Sequence, residues 1–573
     1  MNFKLFKTTF LFIVLIELLS IFAYLIPEFN QISFSIIVFV VLILSLYNLR
    51  WGLSIVLAEL FISSKGYLFY LGLGGLNISI RVALWLVLMS VWFSKYILTL
   101  CRCKERNNNG MIWQSRIHHY IKGLLRHPAP HNDIKSYFIP LFIFIAWGAI
   151  NGLLQGNDFH NVFFDFNGWV YFSLIFPVYS VFNKNQGVSC VPKNTQSPFL
   201  NDLSAVFLAS ISWISIKTFI LLYIFSHEMT SVMPSLYRWV RTTGVGEITL
   251  IEGGFYRIFF QSHIYVLIGF FALFSYLILK NTKNVILSAS EESRVIRAIR
   301  LVAKFFTSFR MTRGEFFDYT TFNLSVLFLA VTIINFSRSN WVGLVVGLGV
   351  LFLFVILNAA KRNEESYIMT RFFTGDQNDT LVKRIYRFIS IFLAITIMSF
   401  VLIIIIVKFP YPSPTGSYNA GELLTKRASQ ISGEAGVSSR WNLLPELWKE
   451  IKKAPILGSG FGATVTYKSN DPRVLETSIN GNYTTYAFEW GWLDIWLKLG
   501  IGGLIAYSLL ISRILHIGFV NFPISNFKFQ ILGLLIGLIV ISTINFFSPY
   551  LNHPLGIGYL ILIAAIVENK NGE

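Results

Sequence analysis

One arginine lies where membrane proteins seldom carry a positive charge. Arg338 is in the short turn SRSNW (337–341), between two apolar runs, 322–336 and 342–357, that are each long enough to enter a bilayer. Arginine keeps its proton in proteins, and a permanent cation at such a place is costly unless an anion offsets it. The position of Arg338 therefore predicts that it binds an anion.

Two further arginines lie beside predicted helices. Arg257 directly precedes an apolar run, and Arg440 follows Ser438 and Ser439, which predict an N-cap. A helix start favours anions, and the guanidinium fork matches phosphate oxygens. We interpret Arg338, Arg440 and Arg257 as a binding site for a lipid-linked diphosphate. The alternative is that each arginine only extends to lipid headgroups.

The composition is that of a polytopic membrane protein. Hydrophobic residues make up 54% of the 573 residues and charged residues only 13%, about half the share of a soluble protein, which is about 25%. Apolar stretches of about 20 residues recur, each able to cross a bilayer as a helix. The sequence predicts an all-α fold, a transmembrane bundle of about fourteen spans. The net charge of +18 does not indicate a nucleic-acid partner, because the basic residues lie between apolar runs.

The charge of the predicted loops alternates along the chain. Basic residues concentrate in the loops 102–135, 280–313 and 361–387. The intervening loops hold several acidic residues and the arginine turn: Glu28, Asp158, Asp165 and Arg338. The positive-inside rule places the basic loops in the cytoplasm. We therefore expect both termini in the cytoplasm and Arg338 at the outer face.

The largest predicted outer segment is 410–490. It contains a predicted amphipathic helix from Arg440 to about Lys453, ended by Pro455. The apolar stripe that we expect to pack inward is Trp441, Leu444, Trp448 and Ile451. The glycines at 458–462 follow a helix rather than a strand, so they do not indicate a nucleotide-binding loop.

Other polar residues have more than one interpretation. Glu17 and Glu59 lie inside apolar runs, either as proton-relay sites of a transporter or as buried acids hydrogen-bonded to a neighbouring helix. Asp494 and Lys498 are one helical turn apart, which predicts an ion pair. His553 lies in a predicted outer turn, where it either joins the site or is an interfacial ring.

The cysteines do not indicate a scaffold of disulfides or a metal site. The chain has three cysteines, all on the predicted cytoplasmic side. Cys101 and Cys103, with His118 and His119, match no common spacing of structural zinc sites, so we expect no metal.

The order of the segments resembles the O-antigen ligase and polymerase superfamily. The resemblance rests on 336–344 (FSRSNWVGL), on 439–441 (SRW) with 453–460 (KAPILGSG), and on 489–503, which contains LKLGIGG. It covers about residues 321–510. We divide the chain into N-terminal transmembrane helices (1–320), a ligase-like core (321–517) that includes the outer loop 410–490, and C-terminal transmembrane helices (518–573).

The resemblance implies a base near the last motif. The family's ligases have a His-Asn pair where this sequence has Glu489 and Trp490. The implied role of Glu489 is to accept a proton from an acceptor sugar hydroxyl. The alternative is an interfacial carboxylate paired with a nearby lysine or arginine.

The implied reaction is a single displacement at an anomeric carbon. The acceptor hydroxyl attacks with inversion while a polyprenyl diphosphate leaves, and Arg338 acts catalytically by stabilising the developing phosphate charge, together with Arg440 and Arg257. Arginines supply this stabilisation, so no cofactor is expected.

The resemblance thus implies an O-antigen or surface-polysaccharide ligase or polymerase in the bacterial inner membrane, with its active site facing the periplasm. The expected partners are a polyprenyl-diphosphate-linked glycan donor, a lipid-anchored glycan acceptor and membrane lipids. The rival function is a polysaccharide exporter or a flippase for the lipid-linked glycan, in which charged residues such as Glu17 and Glu59 line a path through the bundle.

Overall fold

The computed structural model describes residues 2–73, 76–105, 134–182, 199–251, 255–279, 313–369, 377–414, 435–470, 472–478, 480–520 and 529–569. The described chain is mostly helical, as the sequence predicts, but it also contains three small two-stranded sheets that the all-α prediction did not include. His118, His119 and most of the three long basic loops lie outside the described residues.

The first half of the chain contains ten helices and two hairpins among the described residues. They are α1 (Phe3–Leu25), α2 (Glu28–Tyr47), α3 (Leu49–Ile62), β1 (Tyr70–Leu73), β2 (Leu76–Ser79), α4 (Ile80–Glu105), α5 (Phe138–Leu154), α6 (Phe159–Trp169), α7 (Ile175–Phe182), α8 (Phe199–Ser226), α9 (Met233–Thr242), β3 (Gly246–Ile251), β4 (Phe255–Phe260) and α10 (His263–Leu279). Short 3₁₀ turns precede α5 (Lys135–Tyr137) and join α6 to α7 (Val170–Leu174).

The second half contains the remaining described elements. They are α11 (Arg313–Ile334), α12 (Arg338–Met369), α13 (Gln377–Val407), α14 (Ala435–Lys453), β5 (Val465–Lys468), α15 (Pro472–Thr477), β6 (Asn482–Thr485), α16 (Gly491–Val520), α17 (Phe529–Ile544) and α18 (Pro554–Asn569). A further 3₁₀ turn, Tyr550–Asn552, precedes α18.

Many of the helices are long and apolar. Within the described ranges, nine helical segments are long and apolar enough to cross a membrane, and four shorter helices (α10, α11, α17 and α18) are also apolar. A helix satisfies its own backbone hydrogen bonds, which lipid does not supply. The number of fourteen spans and the orientation of the chain stay predictions.

Three hairpins interrupt the helices of the described chain. Strands β1 and β2, β3 and β4, and β5 and β6 pair antiparallel. The loop after α3 joins the first two hairpins, because the Ser64 hydroxyl donates to the carbonyl of Val245 and accepts from the backbone N–H of Gln261 at 3.2 Å. The centre of the bundle is α10, which packs against α17 and α11.

The two glutamates inside apolar runs, Glu17 and Glu59, are each paired with a basic side chain on a neighbouring helix. Glu17 Oε1 on α1 lies 2.6 Å from Nζ of Lys217 on α8. Glu59 on α3 accepts from Nε of Arg81 on α4 at 3.0 Å. The interpretation of Glu17 and Glu59 as acids bonded to neighbouring helices is confirmed.

The predicted helix of the outer segment differs from α14 in its start and in its buried face. The helix begins at Ala435, so Ser439 is not an N-cap; its hydroxyl instead accepts from the backbone N–H of Asn470 at 3.0 Å. The buried stripe is Leu443, Leu447 and Ile451.

The prediction that Trp441 and Trp448 pack inward was therefore wrong. Trp441 and Trp448 are 56% and 39% exposed. Each tryptophan rests edge-on against another one, Trp441 on Trp490 and Trp448 on Trp496, with ring centroids 5.5 and 5.3 Å apart. Aromatic pairing at the rim leaves these rings partly exposed, whereas the smaller leucines fit beneath the helix.

Candidate active site

Arg338 is held by a structured turn between α11 and α12. Arg338 is the first residue of α12 and is half-buried. The side-chain oxygen of Asn335 accepts from the backbone N–H of Ser337 at 2.9 Å, and Phe336 adopts a left-handed φ of 46°, rare for a residue other than glycine. The Ser337 and Ser339 hydroxyls are 3.0 Å apart. This turn fixes the backbone at Arg338 at the start of the helix, where the dipole favours anions.

Arg257 reaches the same turn from the β3–β4 hairpin. Its Nε donates to the carbonyl of Asn335 at 2.9 Å, and its guanidinium stacks over Phe259 at 4.8 Å from the ring centroid. Phe255 of the same strand contacts Phe336, with centroids 5.1 Å apart. The hairpin and the turn thus form one unit.

Arg440 and Glu489 form an ion pair. Glu489 accepts two hydrogen bonds from Arg440, one from Nε and one from Nη2, the latter at 3.2 Å. The indole N–H of Trp490 donates to the carbonyl of Arg440 at 3.0 Å. Glu489 and Trp490 therefore both contact the same arginine. Because α14 begins at Ala435, the expected location of Arg440 at a helix start was wrong.

The structure brings the three predicted arginines together. Burial lowers the pKa of Arg257; Glu247 opposes this effect, and Arg440 and Arg338 add to the lowering. Arg338 and Arg440 are also within electrostatic range of each other. Arginine stays protonated at neutral pH despite such a shift. The three cations repel one another, with Glu489 bound to Arg440 and Glu247 acting on Arg257, and an anion bound among them would relieve this repulsion.

The segment after α14 interlocks with α16. Helix α16 is broken at Gly500, whose φ is 70°, so carbonyls just before the break lack helical partners. The backbone N–H groups of Ser459 and Gly460 donate to the carbonyls of Leu497 and Lys498 at 2.6 and 3.2 Å. Segments 453–460 and 497–503, recognised separately in the sequence, therefore contact each other directly.

Comparison with known families identifies this region. Residues 324–508 match the O-antigen ligase family. The predicted resemblance to the O-antigen ligase and polymerase superfamily is thereby confirmed. A comparison with curated proteins finds no match to the chain. The family and the apolar helices together indicate a multi-pass bacterial membrane protein.

The region matched to O-antigen ligases holds Arg338, Arg440 and Glu489, whereas Arg257 lies before it. It also contains the predicted ion pair, in which Nζ of Lys498 lies 2.6 Å from Oδ1 of Asp494. This prediction is confirmed.

The sequence missed a third member of this ion pair. Oδ1 of Asp165 lies 2.7 Å from Nζ of Lys498, and its other oxygen accepts from the backbone N–H of Gly462 at 3.0 Å. Asp165 is part of α6, so its assignment to a loop was wrong. Asp494 in turn accepts from the side-chain amide of Asn552 at 2.5 Å. We call Asp165, Asp494 and Lys498 the lysine triad.

Among the residues that the structure describes, no three histidine, cysteine, aspartate or glutamate side chains are grouped as metal ligands would be. Glu489 is paired with Arg440, and Asp165 and Asp494 are paired with Lys498. The arrangement can bind an anion through guanidinium groups and presents a carboxylate beside it.

Proposed function

We propose that this protein is a membrane glycosyltransferase of the O-antigen ligase or polymerase type. It moves a glycan from a polyprenyl diphosphate carrier to the hydroxyl of an acceptor sugar at the periplasmic face of the inner membrane. The observation that supports this function is the approach of Arg257, Arg338 and Arg440 to one another, with Glu489 on Arg440.

The donor diphosphate binds to Arg338 and Arg440, and Arg257 assists from the hairpin. Charge-assisted hydrogen bonds from arginine to phosphate are short and about twice as strong as neutral ones. As the bond between the anomeric carbon and the diphosphate oxygen breaks, its electron pair passes to the diphosphate. The arginines stabilise the charge that develops there.

Glu489 accepts the proton of the acceptor hydroxyl as the hydroxyl oxygen attacks the anomeric carbon. Without donor, Glu489 is paired with Arg440, and both side chains are close to half exposed. Such an exposed pair contributes only about 0–1 kcal/mol. A diphosphate can therefore take over Arg440, and the released carboxylate is then available as the base.

The rival function as an exporter or flippase has less support. The buried acids Glu17 and Glu59 each have a cationic partner on the next helix. Paired charges that bridge neighbouring helices are explained by packing, and no observation on them points to a substrate path.

Alanine substitution of Arg338 and of Arg440 tests the proposed function. Loss of one charge-assisted hydrogen-bonding group weakens the binding free energy by about 1.5–3 kcal/mol. The amount of surface glycan should therefore fall roughly tenfold or more in each variant. The matched control is Arg387→Ala: Arg387 is also half-buried, but it donates to the carbonyl of Leu277, at the far end of α10 from the hairpins. It should make normal glycan. If Arg338→Ala and Arg440→Ala both make glycan of normal amount and length, the proposed function is wrong.

A deletion strain separates ligation from polymerisation. Loss of a ligase leaves finished polymer on the carrier, whereas loss of a polymerase leaves single repeat units. A gel of the surface and carrier-linked glycans distinguishes the two.

A further inference from the structure

The loop after α14, residues 455–461, lies between α5 and α16. The backbone N–H of Phe461 donates to the carbonyl of Gly148 on α5 at 2.9 Å. The backbone N–H of Ile501 on α16 donates to the carbonyl of Pro455 at 3.0 Å. Both helices belong to segments that are long and apolar enough to cross a membrane. The 455–461 loop therefore lies alongside two spans rather than beyond their ends.

The contact of the loop with Trp147 shows how deep it lies. The indole N–H of Trp147 on α5 donates to the carbonyl of Leu457 at 2.9 Å. The apolar segment that contains α5, Lys135–Leu154, has 20 residues. At about 1.5 Å per residue it is about 30 Å long, the thickness of the hydrocarbon core, so all of it is needed to cross a bilayer. Trp147 precedes Leu154 by seven residues, which places the contact with Leu457 about 10 Å inside that end of the span.

The loop contacts the face of α5 that is open to lipid. Ile143 and Leu154, four residues before Trp147 and seven after it, are both exposed, and these spacings place them on the same face of the helix as Trp147. Ile456 and Leu457 are themselves 68% and 56% exposed. The loop thus adds two aliphatic side chains to an exposed apolar stripe, at a depth where the surrounding medium is hydrocarbon.

The backbone of the loop is paired with protein rather than with water. Non-helical backbone is tolerated at membrane depth only where its polar groups find partners within the protein or line a water-filled cavity. Five carbonyls of the loop accept from indole or amide side chains: Pro455 from Trp496 at 2.9 Å, Leu457 from Trp147 at 2.9 Å, Gly458 from Asn151 at 2.8 Å, and Ser459 and Phe461 from Asn157 at 3.0 and 2.8 Å. This pairing suits a segment from which water is excluded.

Helix α14, which leads into the loop, has the side chains of an interfacial helix. Trp441 and Trp448 are partly exposed, and Nζ of Lys452 lies 5.8 Å from the ring centroid of Trp448. Tryptophan is enriched at the boundary between membrane and water, and lysine side chains near it extend to the headgroups. An interfacial helix followed by a short apolar segment is the order expected where the chain enters a bilayer.

We propose that residues 455–461 form a loop inserted into the bilayer, in which the side chains of Ile456 and Leu457 contact lipid acyl chains. The sequence predicts that the whole segment 410–490 lies outside the membrane. The inserted loop instead anchors this segment in the hydrocarbon through two aliphatic side chains. Insertion does not depend on the proposed function, because it follows from the spans and their packing alone.

The first test measures the surroundings of the two side chains in the full-length protein, reconstituted in vesicles of phosphatidylethanolamine and phosphatidylglycerol. The three natural cysteines are replaced by serine, and Ile456→Cys and Leu457→Cys are each labelled with bimane. The quenchers are a phospholipid with a nitroxide on its acyl chain and iodide in the buffer. Ile143→Cys on α5 is the control for lipid. Leu475→Cys is the control for water, because Leu475 is 50% exposed on the short charged helix α15.

The labels at 456 and 457 should lose most of their fluorescence to the nitroxide lipid, as at 143, and little to iodide. The label at 475 should show the opposite response. Nitroxide quenching at both loop positions no stronger than at 475 overturns the proposal, whatever iodide does.

The second test uses the wild-type chain and does not depend on the folding of any variant. A phospholipid with a diazirine on its acyl chain is photoactivated in the same vesicles, and the labelled residues are located by mass spectrometry. Trypsin releases the loop as one peptide, 454–468, because Lys453 precedes it and Lys468 ends it. The label should appear on Ile456 or Leu457. Labelling of α5 without any labelling of the 454–468 peptide contradicts insertion.

Discussion

Replacement of Lys498 by methionine should destabilise the protein severely. The lysine is 1% exposed, and its Nζ lies 2.7 Å from Asp165 and 2.6 Å from Asp494. Removing the cation leaves two buried carboxylates without a countercharge, and breaking a buried ion pair in this way costs about 3–5 kcal/mol. The same carboxylates hold Gly462 and Asn552, so the loop after α14 and the turn before α18 should loosen as well.

The measurement is the apparent melting temperature of the purified protein in one detergent, followed by tryptophan fluorescence. Lys449→Met is the matched control, because Lys449 pairs with Glu446 at 3.5 Å while mostly exposed, and such a pair contributes about 0–1 kcal/mol. Adding Asp165→Asn and Asp494→Asn to Lys498→Met removes every uncompensated charge and should recover most of the loss. If Lys498→Met melts no lower than the control, or the triple variant recovers nothing, the electrostatic account of the triad is wrong.

Three further predictions concern the matched region. Glu489→Gln should lower turnover by about 10²-fold or more, as for loss of a general base, and should leave the melting temperature unchanged. The control is Glu446→Gln, which should turn over like the wild type. If the turnover of Glu489→Gln stays within threefold of the wild type, about 0.7 kcal/mol, Glu489 is not the base. Arg338→Lys should weaken carrier binding roughly tenfold because lysine lacks the guanidinium fork; unchanged affinity would exclude a bidentate contact. Gly460→Ala should destabilise the protein by about 1–3 kcal/mol more than Gly156→Ala. Both glycines have φ near 75°, but only at Gly460 would the added Cβ meet backbone, the nitrogen of Gly152 on α5 at 2.1 Å. Equal melting temperatures of the two variants would contradict this.

Local patterns predicted the helical fold and several contacts correctly. Apolar runs indicated the helices, and the spacing of Asp494 and Lys498 indicated their pair, because both signals depend on residues close in sequence. The grouping of Arg257, Arg338 and Arg440 was inferred from their charges beside predicted spans; in the structure they lie within electrostatic range of one another, and their role as a binding site stays a prediction.

Contacts between distant segments could not be predicted in this way. Asp165 and Lys498 are 333 residues apart, and no local pattern links them. The buried face of α14 was misassigned because Trp441 and Trp448 were counted as apolar residues of the stripe. Their partners, Trp490 just before α16 and Trp496 on α16, are distant in sequence and could not be recognised from the local pattern.

The matched region separates residues that maintain the backbone from residues available for chemistry. Gly460 and Gly500 allow the loop after α14 to enter the break in α16, and a side chain at either would collide with backbone. The ion pair of Arg440 with Glu489 is close to half exposed and contributes only about 0–1 kcal/mol to folding. A substitution at Glu489 is therefore expected to leave the contact between the two segments in place while it changes the proposed base. In the proposed reaction, such a substitution affects the deprotonation of the acceptor rather than the binding of the diphosphate to the arginines.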